Sequence, residues 1–165
     1  MKLILIAFIF LVQAARAEIP DAFHPLVVKP TFSLSERVFD LTPAFARAKA
    51  MNMPVLIYLG ASDCPPCKDY TKFLEEHEKE LVPVFARFVV VDIRTWLRGG
   101  KLVFQIGEHR YSDTEFKKLI GDVNPGRYYP DWWLLTPEAR QVRQLPRGSS
   151  HFLDVKNHIR LLEGS

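Results

Sequence analysis

Cysteine is nearly missing from this chain: 165 residues contain two. No second pair of metal ligands stands at a recognisable spacing, so a zinc site completed by His77 or His109 has little to rest on, and no metal is expected. Excess charge is missing too, with 22 Lys and Arg against 19 Asp and Glu. That balance gives no electrostatic case for nucleic acid or an anionic membrane surface as partner. Long apolar runs are absent. The longest, Leu3 to Val12, falls well short of the roughly 20 residues a membrane-spanning helix needs. There is no Gly-rich phosphate loop, no Ser-His-Asp arrangement, and no repeat or low-complexity tract.

What is present begins with a targeting segment. Lys2 supplies a positive start, Leu3 to Val12 the apolar stretch, and Ala15-Arg16-Ala17 a small-x-small pattern. Residues 1–17 read as a signal peptide cut after Ala17, with an uncleaved anchor as the alternative. The mature form, residues 18–165, would not span a membrane and would be exported, most simply to a bacterial periplasm. Without Lys2 and Arg16, 20 basic residues face 19 acidic ones. Export means an oxidising compartment, where two cysteines tend to pair.

Residues 18–39 are rich in proline and read as an extended N-terminal arm, ahead of a domain over residues 40–165. Thr42-Pro43 opens a helix to about Met51, with Thr42 as capping hydroxyl. Val55 to Leu59, bounded by Pro54 and Gly60, reads as a buried strand, and Lys68 to Val82 as an amphipathic helix ending or kinking near Pro83. Phe88 to Ile93 is a β-branched run suited to a strand covered on both faces. Leu102 to Ile106 and His109 to Tyr111 suit a hairpin. Ser112 to Glu115 is a capping box opening a helix to about Ile120. Trp132 to Leu135 and Gln141 to Leu145 read as antiparallel strands, with a last helix from Phe152 to Leu162.

Cys64-Pro65-Pro66-Cys67 lies between the first strand and its helix. Strand, short loop, Cys-x-x-Cys and helix form the arrangement that thiol–disulfide exchange requires. As a staple the pair would close almost no loop and would constrain the unfolded chain weakly. Cys64, at the helix mouth and the more exposed, is the expected nucleophile. Cys67, one turn in, is the resolving thiol. Pro65 and Pro66 lack N–H groups, which leaves the amides of Cys67 and Lys68 to stabilise a thiolate. Asp63 would oppose the thiolate and the Lys68 side chain would favour it. The Cys64 thiol should lie only modestly below the free value of ~8.5, which argues against a strong oxidant.

From roughly Asp40 to Leu162 the chain resembles the thioredoxin superfamily. The strand–Cys-Pro-Pro-Cys–helix unit, Phe88 to Ile93 as the following parallel strand, and Tyr129-Pro130 ahead of an apolar strand carry the resemblance. It implies an α/β thioredoxin fold, a three-layer α/β/α arrangement on a central mixed sheet, here with an insertion at Arg94–Tyr111 after the second core strand. It also implies that Pro130 is cis and faces the disulfide, and that the backbone of Tyr129 pairs with an extended substrate. Two positions depart from the family pattern. Asp63 stands where Trp is usual. Tyr58 stands where a buried Asp assists proton transfer, which leaves Asp63, Glu75 or water for that step. Trp132 and Trp133 read mainly as core, with Tyr128 and Tyr129 as candidates for a peptide-binding rim.

Two functions remain at this stage. One is a thiol–disulfide oxidoreductase acting on exported protein or peptide disulfides, more a reductase or isomerase than a strong oxidant. It would need no cofactor beyond the Cys64–Cys67 disulfide, and a membrane thiol-transfer protein would be its electron donor. The other is a binding module of the same fold with an inert disulfide.

Overall fold

The structure is a computed structural model that describes residues 18–33, 35–124 and 126–164. The expected signal peptide, residues 1–17, lies outside the described residues. The chain enters through a 3-10 turn at Asp21–Phe23 and strands β1 (Leu26–Val28), β2 (Thr31–Ser33) and β3 (Glu36–Asp40). There follow α1 (Thr42–Met51), β4 (Val55–Ala61), α2 (Pro65–Glu76), α3 (Glu78–Phe85) and β5 (Val89–Thr95). The hairpin β6 (Lys101–Ile106) and β7 (His109–Ser112) leads into α4 (Asp113–Ile120). The chain closes with β8 (Asp131–Leu135), β9 (Gln141–Arg143), a 3-10 turn at Ser149–His151 and α5 (Val155–Glu163).

These elements make a mixed α/β molecule with two sheets. The larger has the order β1-β5-β4-β8-β9; β1, β5 and β4 run parallel, and β8 and β9 are each antiparallel to their neighbour. All seven residues of β4 are buried, because both faces of this sheet are covered. The two-residue period of a strand divides them. Val55, Ile57 and Leu59 pack with Phe45 of α1, Phe116 of α4 and Phe39 and Phe104 of the second sheet. Leu56 and Tyr58 point the other way, to Tyr70 and Leu74 of α2, Phe85 of α3 and Leu162 of α5. Trp132 and Trp133 alternate likewise, each buried in a different core, as their spacing predicts.

Several elements differ from the sequence reading. Residues 18–39 are largely extended, as read, but they do not stand ahead of the domain as an arm. β1 pairs with β5 at the edge of the larger sheet, and β3 pairs with β6 in a second sheet of order β2-β3-β6-β7. Short strands carrying Pro25 and Pro30 between them give no periodic signal, so the pairing is visible only in three dimensions. The expected hairpin forms, yet it does not stand alone as an insertion, since β6 lies parallel to β3 along Glu36–Asp40. The long helix breaks at His77 rather than at Pro83, which sits inside α3. The His77 amide reaches the Phe73 and Leu74 carbonyls, and the His77 carbonyl then accepts the Leu81 amide to start the next helix. Thr42 does not cap α1. Its amide is held by the Asp40 carboxylate at 2.9 Å, and its hydroxyl accepts the Gly107 amide at 2.8 Å. The Ser112–Glu115 capping box forms as its sequence dictates.

Candidate functional site

Strand β4 ends at Ala61, the chain turns, and Cys64 becomes the residue that caps α2. Cys64 has extended backbone, so its carbonyl can accept the first helical amides, those of Cys67 at 3.1 Å and Lys68 at 3.2 Å. Pro65 and Pro66 occupy the first turn, where a missing N–H costs nothing to the helix. The two sulfurs are joined as a disulfide, with Cα atoms 5.3 Å apart, within the ordinary span of such bonds. One amide faces the Cys64 sulfur: the Cys67 N–H donates to Sγ at 3.3 Å. The Lys68 amide, also expected there, is spent on the Cys64 carbonyl. The Thr71 hydroxyl donates to the Cys67 carbonyl at 2.9 Å.

The exposure expected of Cys64 is a correction. It is 2% exposed and Cys67 is 0% exposed, so the nucleophile candidate is scarcely more open than its partner. The reason is packing: Ala61, Cys64 and Cys67 form a small buried cluster, and Tyr129 packs against it. Tyr129 and Pro130 immediately precede β8, whose first residue, Asp131, pairs with Leu59 of β4. The antiparallel register therefore brings them to the sheet end where β4 leads to the cysteines. The Tyr129–Pro130 peptide bond is cis. Pro130 is buried, and its carbonyl accepts the Gly148 amide at 3.2 Å. Tyr128 turns outward beside Arg147.

No family model matches this chain, and no curated protein or solved structure is found to match it.

Asp63 has a role the sequence does not reveal. Its exposed carboxylate accepts the Leu97 amide at 2.7 Å, and the Ser62 amide donates to the Thr95 carbonyl at 2.9 Å. Together they lash the cysteine loop to the connection between β5 and β6. Under that connection lies Arg37 of β3, wholly buried. Its guanidinium donates to the Thr95 hydroxyl at 2.5 Å, to the Trp96 carbonyl at 2.9 Å and to the Gly100 carbonyl at 3.0 Å, and it lies 5.0 Å from the Trp96 ring centroid. Burial pulls this group below its ordinary value, while Tyr129 and Asp63 pull it back and Arg127 opposes them. Arg37 thus belongs to the setting of the cysteine loop. Arg37 stands beside Val38 and Phe39 in a stretch bounded by Glu36 and Asp40, so no local pattern marks it as buried.

Asp92 is the second group that sequence reasoning missed. It interrupts the β-branched run of β5, is fully buried, and lies opposite Tyr58 in the register. Tyr58, packed against Tyr70 and Trp132, is held well above its ordinary value, first by burial and then by Tyr70 and Asp92. Of the other acids weighed as proton acceptors, Asp63 is tied to Leu97, and Glu75 is exposed on α2. Among the described residues no group of three or more His, Cys, Asp and Glu is gathered as for a metal.

Proposed function

We propose that this protein is a thioredoxin-like thiol–disulfide exchanger for exported proteins, working through Cys64 and Cys67. What supports the thioredoxin fold is the strand order β1-β5-β4-β8-β9, with β8 alone running against the other four, and a Cys-x-x-Cys helix issuing from the central strand. The single observation that carries the reading is the meeting of the disulfide with Tyr129, the residue before Pro130, at one end of that sheet. In the reduced protein the Cys64 thiolate attacks a client disulfide, forms a mixed disulfide and releases one client thiol. Cys67 then attacks Cys64, releases the second thiol and restores the internal bond. The two electrons passed to the client return from a membrane thiol-transfer donor. The Tyr129 backbone offers a strand edge to an extended client segment. One sulfur-facing amide, and prolines at the next two positions, leave the thiolate weakly stabilised, which favours a reductase or isomerase.

A binding module with an inert disulfide is the second reading, favoured by the burial of both sulfurs. Insulin reduction with dithiothreitol separates the two. The exchange reading expects turnover that Cys64→Ser abolishes, and a Cys67→Ala variant that accumulates mixed disulfides with clients at Cys64. The binding reading expects no turnover in any form of the protein.

A further inference from the structure

Asp92 is buried whole in the middle of β5, and its two carboxylate oxygens are treated unequally. Oδ2 accepts from Arg94 Nε at 2.9 Å and from the Ile19 amide at 3.3 Å. Oδ1 has no hydrogen-bond partner among the described residues. Arg94 is shared, for its Nη1 lies 3.0 Å from a Glu18 carboxylate oxygen. The titratable and charged groups that act on Asp92 are Arg94 on its own strand, Glu18 from the N-terminal segment and, from β4, the uncharged phenol of Tyr58. Two carboxylates thus face one guanidinium. Burial raises Asp92 to about 6, Arg94 lowers it, and Glu18 adds to the rise. Among the described residues the cluster is short of one positive charge and one donor.

The backbone beside it is firmly placed. Ile19 and Phe23 are buried in the core formed with α2 and α3, and the Phe23 ring meets Phe85 with centroids 4.7 Å apart. Glu18, next to this anchored stretch, directly follows the Ala15-Arg16-Ala17 pattern in the sequence. Consecutive backbone nitrogens lie roughly 3–3.5 Å apart. The nitrogen of Glu18 is one step from an amide that already touches Asp92.

We propose that Asp92 is a docking site for the processed N-terminus: cleavage after Ala17 frees an α-ammonium on Glu18 that pairs with the Asp92 carboxylate. In that step water adds across the Ala17–Glu18 peptide and the C–N bond breaks. Ala17 keeps the oxygen as a carboxylate, and the Glu18 nitrogen takes up protons as an ammonium. A leader peptidase is the catalyst required. The product holds two positive and two negative charges in one buried cluster, and Oδ1 gains a donor. Maturation then reaches the core of the fold, independently of what the disulfide does.

The full-length chain, cut with purified leader peptidase, tests this. Mass spectrometry locates the cut, and competitive acetylation with acetic anhydride across pH 6–10 titrates the new amine. The expected result is a cut at Ala17–Glu18 and an amine at least about one unit above its ordinary ~7.7–8.0, so acetylated about tenfold more slowly at pH 6, and about fivefold more slowly at pH 8, than in urea. Asp92→Asn should restore the ordinary value. Should that variant fail to fold, the wild-type protein still decides. Its urea midpoint should rise on cutting, and acetylation of the new amine should cancel the rise. A cut elsewhere, an amine acetylated equally fast folded and unfolded, or a midpoint indifferent to acetylation overturns the proposal.

Discussion

Replacing His158 with glutamine should change how stability depends on pH, in a direction set by the burial of its ring. His158 is fully buried on α5. Its Nδ1 lies 3.2 Å from the Phe152 carbonyl, which can only accept, so Nδ1 carries the hydrogen. Nε2, 3.4 Å from the Tyr70 hydroxyl, is then the acceptor. The ring is neutral, and burial holds it down to about 4 from 6.5, with the Phe152 carbonyl pushing back. The unfolded chain therefore takes up this proton first. The stabilisation is complete above pH 6.5 and drains away as pH falls towards 4. A gap of about 2.5 units is worth at most about 3 kcal/mol. Asp92 acts in the opposite sense while Glu18 remains in peptide linkage, because its folded value is raised from 3.8 to about 6. Folding gains stability from it as pH falls from 6 towards 3.8, again by about 3 kcal/mol at most. Between pH 6 and 4 the two nearly cancel. His158→Gln keeps a donor for Phe152 and an acceptor for Tyr70 but cannot titrate. Urea unfolding at pH 4, 5, 6 and 7, disulfide intact, should show the wild-type minus variant difference shrinking by about 3 kcal/mol on acidification. A difference constant to within about 0.5 kcal/mol across that range would refute the reasoning.

Other expectations follow from the Arg37 cluster and from tight backbone contacts. Arg37→Leu should cost about 2–4 kcal/mol in urea unfolding, since it strands the Trp96 and Gly100 carbonyls. It should also hasten proteolysis between β5 and β6. Gly100→Ala should cost more than about 2 kcal/mol, because a Cβ there would run into the Ser35 carbonyl, a backbone group that cannot swing away. Asp63→Ala should free the Leu97 amide, seen as faster hydrogen exchange at that residue, without unfolding the sheet.

The parts legible in the sequence were those with a local signature. Val55 to Leu59 announced a strand through its apolar run between Pro54 and Gly60, and Ser112 with Glu115 announced a helix start. Cys64 and Cys67 declared their pairing by spacing. The unread parts depend on contacts distant in the chain. Arg37 acquires its meaning from Thr95, Trp96 and Gly100, and Asp92 from Ile19 and Glu18. No window of neighbouring residues contains such pairs. Cys64 illustrates the same point, since its position at a helix mouth suggested exposure and Tyr129, far along the chain, removes it.

Equilibrating the protein in glutathione buffers of graded potential, with alkylation of the free thiols, tests the central claim most directly. The account predicts one reversible two-electron transition involving Cys64 and Cys67 together, between roughly −180 and −270 mV, where isomerases and thioredoxin-type reductases lie. A pair that stays bonded under every such buffer, or one that reduces near −120 mV like the strongest periplasmic oxidants, would contradict it.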